Sequence, residues 1–335
     1  MKPLLRNLAE MTAHRDHLRL EVSVVSTLLL QGRETRVRAL EMVTRDAETW
    51  LRPRSWSDGE RIVTSELEAL DDPAAIALRC LPELARCIAA GGKSAERIDE
   101  HGHTLWMPVW LGERAHACLE ITQPKAFTRH QRDVVSGVHL VYQNYQSLLD
   151  YSERDALTGL LNRKTFDEQF TRQSGADSWD ARHGPDAPSQ WLAVVDIDHF
   201  KRVNDQFGHL YGDEVLILVA NQLRSLFRAQ DRIFRFGGEE FVVLLRSATL
   251  AQARQALERL RVAIESHAFP QIGHISVSIG FAGAYGGAPV EIIGRADQAL
   301  YFAKEHGRNQ VRYYEDLVAS ASLKQKVAHD EVELF

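Results

Sequence analysis

The sequence predicts an α/β (α+β) protein in which two domains are joined by one long helix. A chain of 335 residues has room for two domains, because single domains usually take about 100–200 residues. Both halves mix segments of helical periodicity with short β-rich runs, and a proline-free helical pattern over residues 128–153 separates them. We therefore expect domains at residues 1–127 and 154–315, a connecting helix at 128–153 and a C-terminal tail at 316–335.

Composition excludes several classes of protein. Hydrophobic residues make up 44% and charged residues 26% of the chain, which is ordinary for a globular protein with a core. The formal net charge of -6 argues against a general nucleic-acid binder held by phosphate attraction. Three cysteines argue for a reducing compartment without a disulfide framework. No apolar run is long enough to span a bilayer and the N-terminus lacks the apolar core of a signal peptide, so we expect a cytoplasmic protein.

Residues up to about 95 are predicted to be mostly helical, because apolar residues recur there at helical spacing. These residues are Leu18, Val22, Val25, Leu28 and Leu29, followed by Ile62, Leu67 and Leu70. The Asp72-Pro73 pair is typical of a further helix start, and Gly91-Gly92 would stop that helix. The period then changes, and residues 104–111 and 115–121 are predicted to form paired strands around a turn at Gly112.

The helical pattern over residues 128–153 carries a heptad seam about three heptads long. Its members alternate steps of four and three residues: Val134, Val138, Val141, Tyr145, Leu148 and Ser152. We expect this seam to hold a parallel homodimer. The alternative is a single helix that packs on its own domain.

The first half of the chain resembles a GAF domain in the order of its elements. Helices come first, then a strand, a turn and a strand, then a helix that leaves the module, and the resemblance rests on residues 105–143. It implies a regulatory, sensory domain. Four side chains could line a ligand pocket there or be ordinary core and surface residues: Trp106, Trp110, His101 and His103.

In the second half, a turn over residues 155–163 leads into a helix, and residues 174–190 have the composition of an exposed loop. Residues 191–198 form an apolar strand buried on both faces, so its first carboxylate, Asp196, arrives where a buried sheet meets solvent. Further along the chain we expect helices at residues 215–227, 251–265 and 289–306, a strand at 275–281 and a loosely held tail.

The stretch Arg235-Phe236-Gly237-Gly238-Glu239-Glu240-Phe241 predicts a β-hairpin, because glycine accepts the positive φ of tight hairpin turns. Two glycines leave the backbone bare, so that a ligand can approach it closely. Two carboxylates follow at once. Bare backbone beside acidic side chains suits a metal-bound phosphate compound, whereas the alternative is an ordinary hairpin with solvated glutamates.

Several separated motifs occur in one order, and together they resemble a GGDEF domain, the diguanylate cyclase family, over residues 155–314. The motifs are Asp155-x-Leu-Thr-Gly-Leu-x-Asn-Arg163, Asp196-x-Asp-x-Phe-Lys201, Asn204 with Asp213, Gly237-Gly-Glu-Glu-Phe241, and Lys304 with Arg308. Their concurrence is far more specific than any one of them. The resemblance implies a fold similar to the palm of nucleotide polymerases, and an enzyme that joins two GTP molecules into cyclic di-GMP and releases pyrophosphate. A non-catalytic effector that senses cyclic di-GMP or GTP is the alternative.

The resemblance also implies roles for individual residues. Asp196, Glu239 and the backbone carbonyl of Ile197 would hold Mg²⁺, or Mn²⁺ in its place, because such ions take hard oxygen ligands. Glu240 would be a further metal contact or would help to deprotonate the attacking hydroxyl, and Asp198 is open to a structural role. Asn204 and Asp213 would read the guanine edge, although both residue types also cap helices. Lys304 and Arg308 would bind the β- and γ-phosphates. The remaining substrate-binding residues would be His199, Phe200, Lys201, Gly237 and Gly238.

Two further expectations follow from the same resemblance. One domain binds one GTP, so two copies must face each other across a two-fold axis, and the first domain would control that encounter. Arg228 and Asp231 match an Arg-x-x-Asp inhibitory site for the product, to which Arg259 would contribute. The alternative is an ordinary surface pair at the end of a helix.

Overall fold

The computed structural model describes residues 2–14, 16–30, 32, 34–45, 48–58, 61–65, 72–100, 102–173, 189–228, 230–285 and 288–320. It divides into two units, residues 1–152 and 153–335. Both units combine helices with a β-sheet, so the predicted α/β class is confirmed. In the described part of the chain, no helix is both long enough and apolar enough to cross a bilayer.

Unit 1 is built on an antiparallel sheet in the order β3-β2-β1-β7-β6-β5, with β4 paired to β2. Its elements are α1 (Lys2–Met11), α2 (His17–Leu29), β1 (Arg36–Arg45), β2 (Glu48–Asp58), β3 (Arg61–Thr64), β4 (Ile76–Ala77), a 3-10 turn (Leu78–Cys80), α3 (Pro82–Ala89), β5 (Ala95–Asp99), β6 (Gly102–Leu111), β7 (Arg114–Gln123) and α4 (Arg129–Glu153). Residues of α1, α2 and α4 form a core with one face of the sheet, and residues of α3 form a smaller core with the other.

The prediction of a mostly helical region up to residue 95 is right for α1 and α2 and wrong for the three strands β1, β2 and β3. For β1 the reason is that the strand buries residues on both faces. Val37 and Ala39 join the α2 and α4 core, whereas Leu40 and Met42 join the α3 core. A strand buried on both sides loses the simple alternation of apolar and polar residues by which strands are recognised. Leu67 and Leu70 lie outside the described residues.

The helix expected after Asp72-Pro73 begins nine residues later, at Pro82. The intervening β4 pairs with β2, and Pro82 takes the first helical position, where no backbone N–H is needed. The predicted stop is confirmed, because α3 ends at Ala89 and Gly91 has a positive φ of 63°. The predicted strand pair is also confirmed as the antiparallel β6 and β7.

The predicted long helix is confirmed as α4, but its apolar face is turned mostly toward its own unit. Val138 is buried there, and Val134, Val141 and Tyr145 pack against the same core. Of the heptad seam, Leu148 is 61% exposed and Ser152 is exposed. The seam is therefore not free over its whole length, and the parallel dimer remains a prediction.

Among the side chains considered for a pocket, Trp106 is a core residue. It is fully buried, and its Nε1 donates a hydrogen bond to Glu120 at 2.9 Å. Trp110 is partly buried and donates to the carbonyl of Gly92 at 3.2 Å. His103 lies in β6 and is partly buried, and His101 is outside the described residues.

Unit 2 is built on a sheet in the order β13-β12-β9-β11-β10-β8, with β9 at its centre. Its elements are β8 (Leu161–Asn162), α5 (Arg163–Gln173), β9 (Ser189–Ile197), α6 (Phe200–Phe207), α7 (His209–Leu226), β10 (Arg232–Gly237), β11 (Glu240–Ala248), α8 (Leu250–Ser266), β12 (Val277–Gly283), α9 (Pro289–Glu305), β13 (Val311–Tyr313) and α10 (Tyr314–Ala319). One face of the sheet carries α6, α7 and α8, and the other carries α5, α9 and α10.

The predicted elements of this unit are confirmed with small shifts of their ends, apart from three corrections. The helix expected from residue 215 begins six residues earlier, at His209. Ser189 and Gln190 open β9 instead of closing a loop, and residues 174–188 of that loop lie outside the described residues. Residues 316–319 belong to α10, whose Leu317 is buried, so this part of the predicted tail is wrong. The α10 helix adds apolar side chains to the core beneath α9, which a short sequence without clear periodicity does not reveal.

Candidate functional site

The register of the sheet brings acidic residues together at one end of its central strands. Glu240 of β11 lies opposite Asp196 of β9, and Ser278 of β12 lies opposite Asp196 on the other side. Because β9 is flanked by two strands, Asp196 is only 5% exposed although it stands next to the last residue of its strand. Asp196 near the end of β9 and Glu239 just before β11 therefore lie at the ends of neighbouring strands.

The predicted hairpin is present, with Gly237 paired to Glu240 across the turn. Gly238 has a φ of 45°, a left-handed conformation that glycine adopts at no steric cost. A β-carbon at Gly237 or Gly238 would meet no atom of the described residues within 4 Å. The backbone at the tip is open on the side where side chains would stand, so a ligand can approach it.

Two residues without an assigned role hold this tip in place. Arg235 donates to the carbonyl of Gly238 from Nε at 3.2 Å and from Nη2 at 2.9 Å. Its Nη1 lies 2.9 Å from Asp155 Oδ1, which also accepts from the backbone and the hydroxyl of Thr158. The opening motif and the hairpin are thus one structure, which the separation of about 80 residues hides in the sequence.

Lys304, a predicted phosphate ligand, instead contacts a predicted metal ligand. It stands in the last turn of α9, and its Nζ lies 2.9 Å from Asp196 Oδ2. The ammonium group compensates a buried carboxylate that would otherwise lie among other negative charges.

The electrostatics of the site show an excess of negative charge. Burial raises the pKa of Asp196, the charges of Glu239 and Glu240 add to that rise and Lys304 opposes it, and the resulting pKa is about 6. Burial also raises the pKa of Glu240, and the negative charge of Asp297 on α9 adds to that rise. Sequence reasoning missed Asp297, which precedes Lys304 by two helical turns and so lies on the same side of α9.

These residues fit a divalent cation. The donors are all oxygen, as Mg²⁺ and Mn²⁺ prefer, and a cation would relieve the repulsion that raises the pKa of Asp196. Within the described ranges, no cluster of three or more His, Cys, Asp or Glu side chains could hold a metal. Mg²⁺ commonly takes one or two carboxylates and completes its shell with phosphate and water, so two carboxylates are enough.

Asn204 and Asp213, the predicted guanine readers, lie on two consecutive helices. Asn204 lies in α6 and Asp213 in the second turn of α7. A β-carbon at Gly212 would overlap Asn204 Oδ1, so the amide sits directly against the start of α7. Neither residue is an N-cap, since those positions are His199 and Gly208, and the capping alternative is therefore wrong.

The start of α6 presents the other predicted contacts. His199 has a left-handed φ of 58° and is the N-cap, so α6 begins with the backbone of Phe200, whose side chain is buried. An open groove of about 470 Å³ is lined by His199, Lys201, Arg202, Asp205 and Gln206. Its basic side chains and the N–H groups at the helix start suit an anionic ligand.

The three residues of the predicted product site lie near one another at the end of α7. The carboxylate of Asp231 accepts from the backbone N–H of Arg228 at 3.0 Å and from that of Arg246 at 3.2 Å. Arg259 of α8 donates to the carbonyl of Leu226 at 2.8 Å. The carboxylate of Asp231 thus stabilises the turn that begins at Arg228. The side chain of Arg228 is exposed, so its guanidinium is accessible to a ligand.

Comparisons with known proteins concern mainly unit 2. Residues 152–310 match the model of the family described as diguanylate cyclase, GGDEF domain. Diguanylate cyclase DgcP of Pseudomonas aeruginosa is 45% identical over 177 residues, which are 52% of this chain and 25% of that protein. Diguanylate cyclase DgcM of Escherichia coli (strain K12) is 39% identical over 223 residues, which are 65% of this chain and 49% of that protein. The chain spans half or less of the length of these two relatives.

Among solved structures, the GGDEF domain of DgcB from Caulobacter crescentus in complex with c-di-GMP is similar at 35% identity and a TM-score of 0.45. The match covers 49% of this chain and 96% of that one.

Proposed function

We propose, from the premise that residues 152–310 form a GGDEF domain, that this protein is a diguanylate cyclase of the GGEEF type. It would join two GTP molecules into cyclic di-GMP and release two pyrophosphates. The observation that carries the proposal is the placement of Asp196 and Glu240 on neighbouring strands, beside an open glycine hairpin and under Lys304. The relatives named diguanylate cyclase support the same activity.

The residues divide the work of two successive nucleotidyl transfers. In each, a 3′-hydroxyl oxygen of one nucleotide attacks the α-phosphorus of the other; the new O–P bond forms, the bond from that phosphorus to the oxygen of the β-phosphate breaks, and pyrophosphate leaves. A divalent cation held by Asp196, Glu239 and the Ile197 carbonyl would supply charge neutralisation at the phosphate and lower the pKa of the hydroxyl. Glu240 would help to take the hydroxyl proton or would be a further contact of the cation.

Lys304 changes partners in this proposal. In the free protein its ammonium compensates Asp196 at 2.9 Å. With a divalent cation held at Asp196, the ammonium of Lys304 would be available to bind the β- and γ-phosphates together with Arg308. The ion pair offsets the repulsion between Asp196 and its acidic neighbours.

Guanine would be read by Asn204 and Asp213. A carboxylate accepts from the N1–H and the N2 amino group of guanine, a pair of donors that adenine does not offer. GTP should therefore be strongly preferred to ATP, because ATP would leave these polar groups unpaired.

Unit 1 would be a GAF-like regulatory domain, and the chain would act as a homodimer. A sheet covered by helices, ending in a strand pair and the outgoing α4, supports this assignment. Leu148 and Tyr151, on the last two turns of α4, are exposed apolar side chains available for a second copy. Light scattering on the full chain tests the dimer, and a monomer with full activity would contradict it.

The decisive experiment incubates pure protein with GTP and Mg²⁺ and separates the nucleotides. We expect cyclic di-GMP and two pyrophosphates for each product molecule. Glu239→Gln and Asp196→Asn should reduce the product to near background while circular dichroism stays unchanged, because each removes a ligand whose charge stabilisation is worth several kcal/mol. Glu305→Gln, an exposed glutamate of α9, is the matched control and should keep full activity.

Tight binding of GTP or cyclic di-GMP without turnover would instead assign the chain to the non-catalytic effectors. A folded Glu239→Gln variant with near-normal activity would refute the metal assignment.

A further inference from the structure

Asp198 is a buried carboxylate that the proposed reaction does not use. It is 5% exposed and follows β9 directly. Ser278 donates to its Oδ1 at 2.7 Å, and Ser276 donates to its Oδ2 at 2.6 Å. The same Oδ2 accepts the backbone N–H of Asn309 at 3.0 Å, across a sequence separation of 111 residues. Both carboxylate oxygens are therefore engaged by donors of the protein itself.

The third of these contacts holds a strained turn. Arg308 and Asn309 have φ values of 61° and 46°, in the left-handed region that residues with a β-carbon adopt at an energetic cost. Asparagine tolerates this region better than arginine does. Two such residues in a row persist only when the surrounding contacts determine their conformation.

Asn309 is held from the opposite side as well. Arg261 Nη1 donates to Asn309 Oδ1 at 2.8 Å, and Asn309 Nδ2 donates to Glu265 Oε1 at 2.6 Å. The turn after α9 is thus clamped between α8 through its side chain and the end of β9 through its backbone. The residue displayed by this clamp is Arg308, whose side chain is exposed.

We propose that Asp198 is a positioning residue that fixes the left-handed turn at Arg308 and so aims its guanidinium at the terminal phosphates of the bound nucleotide. The inference rests on the proposed function, because it takes Arg308 as a phosphate ligand. Asp198 follows Asp196 by two residues. The same end of β9 would therefore act at the α-phosphate through Asp196 and would set the position of Arg308 at the β- and γ-phosphates. Guanine and α-phosphate recognition do not depend on this turn.

The test measures equilibrium binding to the full-length chain by calorimetry with Mg²⁺. The ligands are GMP and the α,β-methylene analogue of GTP, which keeps the terminal phosphates but cannot release pyrophosphate. Asp198→Asn removes the charge that strengthens the bond from the Asn309 N–H. It should weaken binding of the GTP analogue about tenfold, the usual size of one charge-assisted hydrogen bond, and leave the affinity for GMP within about twofold.

Two further variants complete the design. Ser278→Ala removes a hydrogen bond to the other oxygen of the same carboxylate without touching the turn, and it should not change the ratio of the two affinities. In an Arg308→Ala background, Asp198→Asn should have no further effect on that ratio, because both changes act through one guanidinium. Asp198→Ala should act at least as strongly as Asp198→Asn, and the latter carries the test if the alanine variant does not fold.

An equal loss of affinity for both ligands would mean general damage and would overturn the proposal, as would unchanged affinities or additive effects in the Arg308→Ala background. A wild-type chain that binds the GTP analogue no more tightly than GMP would overturn it too. Failure of cyclic di-GMP synthesis is a separate result, because these measurements involve no turnover.

Discussion

Unit 1 contains a buried carboxylate whose ionisation should make its stability depend on pH. Glu21 of α2 is 3% exposed, and its Oε2 lies 3.6 Å from Arg54 Nε. The hydroxyl of Tyr142 on α4 reaches its Oε1 only at 3.5 Å, and Gln146 donates to that hydroxyl at 3.0 Å and pairs with His17. The hydrogen bonding of the Glu21 carboxylate is therefore weak for a charged group that is buried away from water.

The direction of the effect follows from the pKa. Burial raises the pKa of Glu21 from 4.5 to about 7; Arg54 and His17 oppose the rise, and Glu41 adds to it. Between these two values the folded state binds more protons than the unfolded state, so the free energy of unfolding falls as the pH rises. The full effect of this group is about 3 kcal/mol, at about 1.4 kcal/mol for each pH unit.

The perturbation is Glu21→Gln, which keeps the shape of the side chain and removes the titration. Urea unfolding of the full chain, followed by tryptophan fluorescence, gives the free energy of unfolding from pH 5.5 to pH 8. Over this range, the difference between wild type and variant should shift by about 2 kcal/mol in favour of the variant. The tryptophans of unit 1 that report on the transition are Trp50, Trp56, Trp106 and Trp110.

The matched control is Glu10→Gln, an exposed glutamate of α1 whose curve should run parallel to that of the wild type. Parallel curves for Glu21→Gln as well would show that Glu21 does not titrate in this range and would refute the argument. A difference in the free energy of unfolding that is the same at every pH would not by itself support the argument, since the amide of Glu21→Gln also leaves Arg54 without its charged partner.

Three further predictions concern unit 2. A β-carbon at Gly280 would overlap backbone atoms of α9, so Gly280→Ala should lower the free energy of unfolding by about 3 kcal/mol. Gly294→Ala has open space around the new β-carbon and should be neutral or stabilising. Equal effects of the two substitutions on the free energy of unfolding would refute the close approach of Gly280 to α9. Gly212→Ala should displace Asn204 and raise the KM for GTP more than it lowers kcat, and steady-state kinetics with an unchanged KM would count against that contact. Arg228→Ala should keep the initial rate, abolish the slowing as cyclic di-GMP accumulates and remove tight product binding in calorimetry, and unchanged binding would leave Arg228 and Asp231 as a surface pair.

Elements with a local signal could be predicted from the order of residues alone. The hairpin around Gly237-Gly238, the strand ending at Asp196 and the helix over residues 129–153 were predictable, because turn glycines, apolar runs and helical periodicity act within a few residues. The motifs also pointed to the carboxylates and the lysine of the candidate site, since their order along the chain is itself specific. Strand β1 was not predictable, because burial on both faces removes the alternation that marks a strand.

Which of these residues contact one another depends on the folded arrangement of the whole unit. The contact of Lys304 with Asp196, the support of Gly238 by Arg235 and Asp155, and the bond from Asn309 to Asp198 join residues that are distant in the chain. The packing of the folded unit also determines which face of a helix is buried. Apolar residues of α4 that a sequence pattern assigns to a dimer seam pack into the core of unit 1. Such contacts depend on how strands register and how helices cross the sheet, and no local pattern of residues carries that information.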